Sequence, residues 1–214
     1  MKYLTPAEVK ILFPEATTRT YSKGQILFYP GDKPDYICFI LSGTVKYYDI
    51  SDGGNEKILH LLNSNAFFPM LSTFDTVNEI IAFYSTLDEA EVMMVRKKEF
   101  KRVLESNLTL ANKLLRTLAE EMTEIIKHIN SISKTDSHQK VEYVLGYLLN
   151  KHASDHTKRW SRVNFPVNQQ LIADLAGVTR ETVSGIMQEF EAEKVVRTPK
   201  LLVLDINKTK LSSV

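Results

Sequence analysis

The spacing of apolar residues changes along the chain and predicts three kinds of structure. In residues 18–95, short β-branched and aromatic runs alternate with glycine-containing turns, which is typical of antiparallel strands in a β-sandwich or β-roll. Residues 98–135 change to helical spacing, and residues 137–214 contain shorter helices followed by β-rich runs. A short amphipathic helix is expected at residues 5–13, with Pro6 in its first turn. The chain is therefore predicted to be an α+β protein.

The long helical stretch carries an apolar heptad repeat. Its apolar residues recur alternately three and four positions apart, with no intervening proline or glycine; they are Leu108, Ala111, Leu115, Leu118, Met122, Ile125, Ile129 and Ile132. An unbroken repeat of this kind is typical of a two-stranded coiled coil. We therefore predict a parallel homodimer interface at Leu115, Leu118, Met122, Ile125, Ile129 and Ile132. The alternative is a helix buried inside a monomer, whose apolar stripe would drift toward a 3.6-residue period.

Residues 168–190, NQQLIADLAGVTRETVSGIMQEF, predict two short helices joined by a tight turn. Asn168 can cap the first helix through its side-chain oxygen, and Thr179 can cap the second. Gly177 can adopt a positive φ and marks the turn between them. This is the helix-turn-helix pattern, in which the start of the second helix enters the DNA major groove. The alternative is an ordinary helical hairpin with a charged, solvated face.

Two charged residues at the start of the second helix are the leading candidates for DNA recognition. Arg180 can donate two hydrogen bonds to guanine, and Glu181 can accept one from the amino group of cytosine. The helix would bury its apolar residues and leave this polar face exposed. The further candidates for DNA contact are Ser184, Thr182, Thr179, Gln188, Asn168 and Gln169.

A β-hairpin is expected after the second helix. Two β-rich runs, at residues 195–196 and 201–204, flank a turn that contains Pro199. A helix-turn-helix followed by a β-hairpin is a winged helix. Lys200 at the hairpin tip is placed to contact a DNA phosphate. Residues 152–162, which precede the motif, are expected to form a polar, basic loop.

The segment GVTRETVSGIMQEFEAEKVVRTPK resembles the DNA-binding end of the CRP/FNR family, the cyclic-AMP receptor protein and its relatives. The R-E-T-V run, the turn before it and the hairpin after it carry the resemblance. The turn glycines of the β-rich stretch are also placed as in the β-roll of cyclic-nucleotide-binding domains. The resemblance implies a β-roll domain at residues 1–104, a dimerisation helix and hinge at 105–136, and a winged helix-turn-helix at 137–214.

The same resemblance implies partners and shows one departure. The partners are double-stranded DNA, RNA polymerase and a second copy of the chain. Many family members hold an arginine that reads a guanine where this chain has Gly185. A glycine there has no side chain to contact a base, and it costs about 1 kcal/mol of helix stability relative to alanine.

A second departure lies in residues 65–86, where the family binds its effector. The pair Pro69-Met70 stands where cyclic-nucleotide binders carry Gly-Glu, and Ile80-Ile81 stands near their Arg-Ser position. The stretch contains no Arg or Lys, so a buried cyclic phosphate would lack a cationic partner. We therefore expect that the protein does not bind cyclic AMP or cyclic GMP.

What this region does instead has two interpretations. It is apolar and aromatic, with Phe67, Phe68, Met70, Leu71, Phe83 and Tyr84. These residues either fill the core between the roll and a helix or line a site for a small apolar or aromatic effector. No cofactor is predicted. A metal site of the cupin type is not expected, because His60 has no second ligand near it in the sequence.

Composition and charge add limits on function. The net charge is only +1, but residues 137–214 hold 11 basic against 8 acidic residues, which favours DNA binding by that part. The chain has one cysteine, no apolar run long enough for a membrane span and no signal-peptide core, so a cytoplasmic location is expected. No nucleophile motif, phosphate loop or His/Glu cluster indicates an enzyme.

Overall fold

The computed structural model describes residues 4–71, 78–152, 160–192, 196–197 and 203–205. The chain divides into two compact units. One comprises Met1–Asp49 with Ile58–Ile125, and the other Ile50–Lys57 with Ile126–Val214.

The β-rich stretch forms two antiparallel sheets, as the alternation of short runs and turns predicts. In the described part of the chain its strands are β1 Thr17–Tyr21, β2 Ile26–Phe28, β3 Tyr36–Ser42, β4 Val45–Ile50, β5 Glu56–Leu62, β6 Phe67–Phe68, β7 Phe83–Thr86 and β8 Ala90–Arg96. The strand orders are β1-β8-β3-β6 and β2-β7-β4-β5. Cys38 and Phe39 of β3 pair with β8 on one side and with β6 on the other, which makes β3 the centre of the first sheet.

Two hydrophobic clusters lie on opposite faces of β3. Because successive side chains of a strand point to opposite faces, Ile37 and Phe39 contribute to one cluster, while Cys38 and Ile40 contribute to the other. We call the cluster that contains Cys38 and Ile40 the roll interior. The cluster that contains Ile37 and Phe39 also takes in residues of the helices, and we call it the helix-side core.

Two helices of this unit and the first part of a third cover the helix-side core. Helix α1, Pro6–Leu12, precedes the sheets, and α2, Lys97–Ser106, follows β8. Helix α3, Leu108–Ile132, begins after a break at Asn107, whose Oδ1 accepts a hydrogen bond from the Leu110 amide at 2.9 Å. The helical stretch at 98–135 is thus two helices in succession.

An ion pair ties the first helix to α3. Lys113 Nζ lies 3.0 Å from Glu8 Oε1, and Glu8 also completes a capping box with Thr5. The backbone amide of Thr5, and then Lys113, lower the pKa of Glu8 to about 2. The Glu8 carboxylate is therefore ionised throughout the neutral pH range and holds α1 against the start of α3.

The carboxy-terminal unit is a winged helix-turn-helix, as predicted. Its elements are α4 Ser137–His152, β9 Trp160–Arg162, α5 Gln169–Ala176, α6 Arg180–Ala192, β10 Val196–Arg197 and β11 Val203–Asp205. The strands form one antiparallel sheet in the order β10-β11-β9. The expectation that residues 152–162 form a loop is wrong for residues 160–162, because Trp160 to Arg162 pair with β11.

Gly43 is required by the fold for two reasons. Its φ of +85° is unfavourable for any residue with a side chain, and an added Cβ would lie 2.5 Å from the Glu89 carbonyl oxygen. Gly24 has a similar φ of +78°, but an added Cβ there meets no described atom within 4 Å. Substitutions at the two glycines therefore distinguish the free-energy cost of the backbone conformation from the cost of a steric collision.

We expect Gly43→Ala to lower the free energy of unfolding by about 3 kcal/mol or more, and Gly24→Ala by only about 1 kcal/mol. Urea unfolding followed by circular dichroism measures both values. Equal destabilisation by the two variants would contradict the close approach of Glu89 to Gly43.

Candidate nucleic-acid interface

Side-chain caps and one left-handed residue define the turn between α5 and α6. Asn168 Oδ1 accepts a hydrogen bond from the Leu171 amide at 2.8 Å and so caps α5. Helix α5 ends at Gly177, which has φ 63° and ψ 40°. The amides of Gly177 and Val178 both donate to the Ala173 carbonyl. Local hydrogen bonds therefore fix where α5 ends and in which direction the chain leaves it.

Helix α6 begins at a threonine cap and buries one face. Thr179 Oγ1 accepts a hydrogen bond from the Thr182 amide at 3.2 Å, and the two hydroxyl oxygens lie 3.0 Å apart. The buried side chains recur at helical spacing; they are Val183, Ile186, Met187 and Phe190. They pack with buried residues of α4 and α5, so the orientation of α6 is set by a hydrophobic core.

The opposite face of α6 holds the polar residues that the sequence singles out. Arg180, Glu181 and Gln188 are exposed, while Ser184 and Thr182 are half-buried. The guanidinium supplies donors, the carboxylate supplies acceptors, and the amide supplies both. A rigid helix therefore presents, on one solvent-exposed face, groups able to hydrogen-bond to base edges in a major groove.

The remaining predicted DNA contacts lie at helix starts or outside the described residues. Asn168 is exposed and Gln169 half-buried at the start of α5, and Thr179 is exposed at the start of α6. The side-chain oxygens of Asn168 and Thr179 are engaged in caps, which leaves the side-chain N–H groups of Asn168 to donate to phosphates. Lys200 and the hairpin tip lie outside the described residues.

A buried histidine joins the end of α3 to α4, and the sequence analysis did not identify it. His128 is 4% exposed, and its ring centroid lies 6.0 Å from that of Tyr143 and 6.3 Å from that of Tyr147. Residues 133–136 separate the two helices, and the predicted hinge, residues 134–137, overlaps them and the first residue of α4. The spacing of Tyr143 and Tyr147, four apart on one helix face, was the available signal for an aromatic contact.

The structure does not bring the six predicted effector-pocket residues together. Phe67 and Met70 belong to the helix-side core, whereas Phe68 and Tyr84 belong to the roll interior. The division follows from β6, in which the adjacent Phe67 and Phe68 point to opposite faces. Leu71 is 52% exposed.

The last of the six, Phe83, lies on the opposite face of β7 from Tyr84. Its ring stacks on Tyr48 at 5.2 Å and meets Tyr29 edge-on at 6.0 Å. The alternation along β7 thus separates Phe83 from the roll interior just as β6 separates Phe67.

Aromatic rings contact one another in the roll interior. Tyr84 lies 4.7 Å from Tyr47, 5.4 Å from Phe68 and 6.0 Å from Phe28, measured between ring centroids. Burial, and after it Tyr47 and Glu121, raise the pKa of Tyr84, so its hydroxyl stays neutral. Ile80, which stands near the family's arginine position, is 4% exposed within the same cluster.

The described ranges also bear on metal binding and membrane insertion. No group of His, Cys, Asp and Glu side chains there is arranged to hold a metal ion. None of the helices in those ranges combines the length and apolar character that crossing a membrane requires.

Comparisons with known proteins agree with this architecture. The family model described as "Cyclic nucleotide-binding domain" matches residues 18–107, and "Crp-like helix-turn-helix domain" matches residues 142–208. The "Cyclic AMP receptor protein" of Thermus thermophilus is 26% identical over 91% of this chain and 86% of its own length. The "HTH-type transcriptional regulator ArcR" of Staphylococcus haemolyticus is 25% identical over 84% of this chain and 78% of its own length.

Solved structures share the fold. That of FixK2 from Bradyrhizobium japonicum superposes with a TM-score of 0.78 at 18% identity, covering 92% of this chain and 96% of that one. The winged helix-turn-helix, the β-roll and the two family matches, taken together, account for most of the sequence. The chain therefore belongs to the CRP/FNR family of transcription regulators, with a Crp-like DNA-binding domain at its carboxy-terminal end.

Proposed function

We propose that this regulator acts as a homodimer on a pseudo-palindromic operator in double-stranded DNA and does not respond to cyclic AMP. By analogy with its family, we also propose that the protein contacts RNA polymerase and is cytoplasmic. The observation that carries the proposal is an apolar stripe of α3 that remains in contact with solvent in a single chain.

Helix α3 has apolar side chains on two faces. Leu110 and Leu114 are buried in the helix-side core. On the heptad face, Leu115, Met122 and Ile129 are 61%, 65% and 49% exposed. The other three predicted interface residues, Leu118, Ile125 and Ile132, are half-buried.

Exposure of the heptad face favours pairing over burial within one chain. Covering one large apolar side chain fully stabilises by about 1.5–3 kcal/mol. A parallel pair of such helices covers one copy of the stripe with the other, which is the arrangement that a heptad repeat favours. These observations support the dimer and not the alternative of a helix buried in a monomer.

The dimer determines what the DNA-binding domains recognise. A two-fold axis along paired α3 helices presents two copies of α6, so the operator has two half-sites about one helical turn, roughly 34 Å, apart. The packing of His128 against Tyr143 and Tyr147 links the end of each α3 to α4 beneath α6. A change in that packing would shift the spacing of the two copies of α6.

Two observations support independence from cyclic nucleotides. The ring of Tyr84 contacts those of Phe28, Tyr47 and Phe68 in the roll interior. These contacts are those of a hydrophobic core. Residues 65–86 contain no Arg or Lys to neutralise a cyclic phosphate. The contacts among the rings favour a constitutively competent regulator with a filled roll over one that binds a small apolar effector there.

The dimer is tested with the double variant Met122→Asp, Ile129→Asp. We expect light scattering to give a mass near 24.5 kDa for the variant and twice that for the unaltered protein, because burying carboxylates across the pair is costly. The matched control is Thr123→Asp, which adds one charge at a position that faces away from the heptad stripe. A double variant that keeps the dimer mass would show that α3 does not form the interface.

Base recognition is tested with Arg180→Ala. We expect it to weaken binding to the operator by about 1–3 kcal/mol and to relax the preference at one base pair, with little change on scrambled DNA. Fluorescence anisotropy on DNA from the protein's own promoter region measures both. Arg102→Ala, which removes an exposed arginine of α2, is the matched control. Unchanged operator affinity in Arg180→Ala would contradict the assigned face of α6.

Independence from cyclic nucleotides is tested by calorimetric titration. Cyclic AMP and cyclic GMP are expected to give no binding heat with the full-length protein at micromolar concentration, and neither should change its affinity for the operator. The cyclic AMP receptor protein of Thermus thermophilus, titrated in the same buffer, is the control. A micromolar Kd for either nucleotide would contradict the proposed independence from cyclic nucleotides.

A further inference from the structure

A glycine lies near the middle of the exposed face of α6. Gly185 is exposed and follows Glu181 by four residues and precedes Gln188 by three, so the three lie along one line of the helix surface. The buried residues Val183 and Met187 point away from this line. Glycine lowers helix stability relative to alanine, so its presence here calls for a physical reason.

The described part of the chain supplies no such reason. A Cβ added at residue 185 meets no described heavy atom within 4 Å, and the φ of Gly185 is not in the left-handed region. Gly43 and Gly177 differ, because a collision or a positive φ requires glycine at each. The space above the Cα of Gly185 is therefore open to a bound partner.

The missing side chain leaves a shallow recess of defined chemistry. Glu181, Ser184 and Gln188 surround it, and its floor is the Cα of Gly185, whose backbone groups lie within the helix. The floor has no free hydrogen-bonding group, so it fits a small apolar group. In the major groove, the apolar group carried by a base edge is the 5-methyl group of thymine.

We propose that Gly185 receives the methyl group of one thymine in each half-site of the operator. This inference rests on the proposed use of α6 to read DNA, and it makes Gly185 a specificity-determining residue. The contact brings the helix backbone close to the base pair, and an alanine methyl would occupy the same space as the thymine methyl. The two methyl groups are therefore mutually exclusive.

A methyl-swap experiment tests the proposal with the full-length protein. The operator is first identified by selection from random duplexes, and each thymine is replaced in turn by deoxyuridine, which lacks only the methyl group. Anisotropy should show one position per half-site where this raises the Kd about fourfold, as expected for the loss of one buried methyl. At the other thymines, the replacement should leave the Kd unchanged.

Gly185→Ala is then measured on both duplexes. On the thymine operator its Kd should rise about tenfold or more, the range of one mismatched contact. On the deoxyuridine operator it should recover to within about threefold of the unaltered protein, because the methyl has moved from DNA to protein. The control Gly53→Ala changes another exposed glycine outside the positive-φ region and should bind both duplexes as the unaltered protein does.

The outcomes distinguish a failure of the proposed role of Gly185 from a failure of the proposed DNA recognition. Selection of no specific duplex by the unaltered protein would overturn the proposed DNA recognition, and the role of Gly185 with it. Specific binding in which Gly185→Ala matches the unaltered protein on both duplexes would overturn the role of Gly185 alone. So would a loss of affinity that deoxyuridine does not relieve, because that result indicates a general disturbance of α6. Thermal unfolding of the variant at or above the temperature of the unaltered protein excludes misfolding as the cause.

Discussion

Helix α3 carries apolar residues on two faces, and the architecture on either side of it depends on how each face is covered. Leu110 and Leu114 bind the helix into the core that the sheets and α1 also form. The heptad face is left to solvent in a single chain, with Met122 65% exposed. A helix with a single apolar face could have that face covered entirely by its own domain. In the proposed dimer, a second copy of the chain covers the other face, and the two-fold symmetry gives the DNA-binding end two copies of the same surface.

Charge is the basis of the proposal that this roll does not bind a cyclic phosphate. Burying an anion requires a cation or a set of donors, and Ile80 stands near the position at which the family pattern supplies the arginine. Among the described residues, aromatic rings contact one another around Tyr84, whose neutral hydroxyl adds no charge. The protein thus keeps the fold of a nucleotide-binding domain with a hydrophobic core at its centre. The fold does not require a particular ligand, because the strands depend only on the alternation of buried and exposed side chains.

Features set by neighbouring residues were predictable from the sequence, and features set by distant pairing were not. The caps at Asn168 and Thr179 and the turn at Gly177 each involve atoms within a few residues, so the helix-turn-helix follows from local chemistry. Strand β9 was missed because its partner, β11, lies some forty residues later in the sequence. The six-residue pocket was one of two interpretations of an apolar stretch at the family's effector position, the other being a filled core. The alternation of Phe67 and Phe68 in β6, which only the strand pairing shows, divides those residues between two cores.

The separation of buried and exposed faces on α6 has a consequence for the evolution of such a regulator. Its buried face and its caps maintain the fold, while Arg180, Glu181, Gly185 and Gln188 lie in solvent. Substitutions at exposed positions of this kind usually alter stability by less than about 0.5 kcal/mol. If this face reads DNA as proposed, new target sequences are accessible through single replacements that the fold tolerates. A duplicated copy of the gene can acquire its own set of promoters without first passing through an unstable protein.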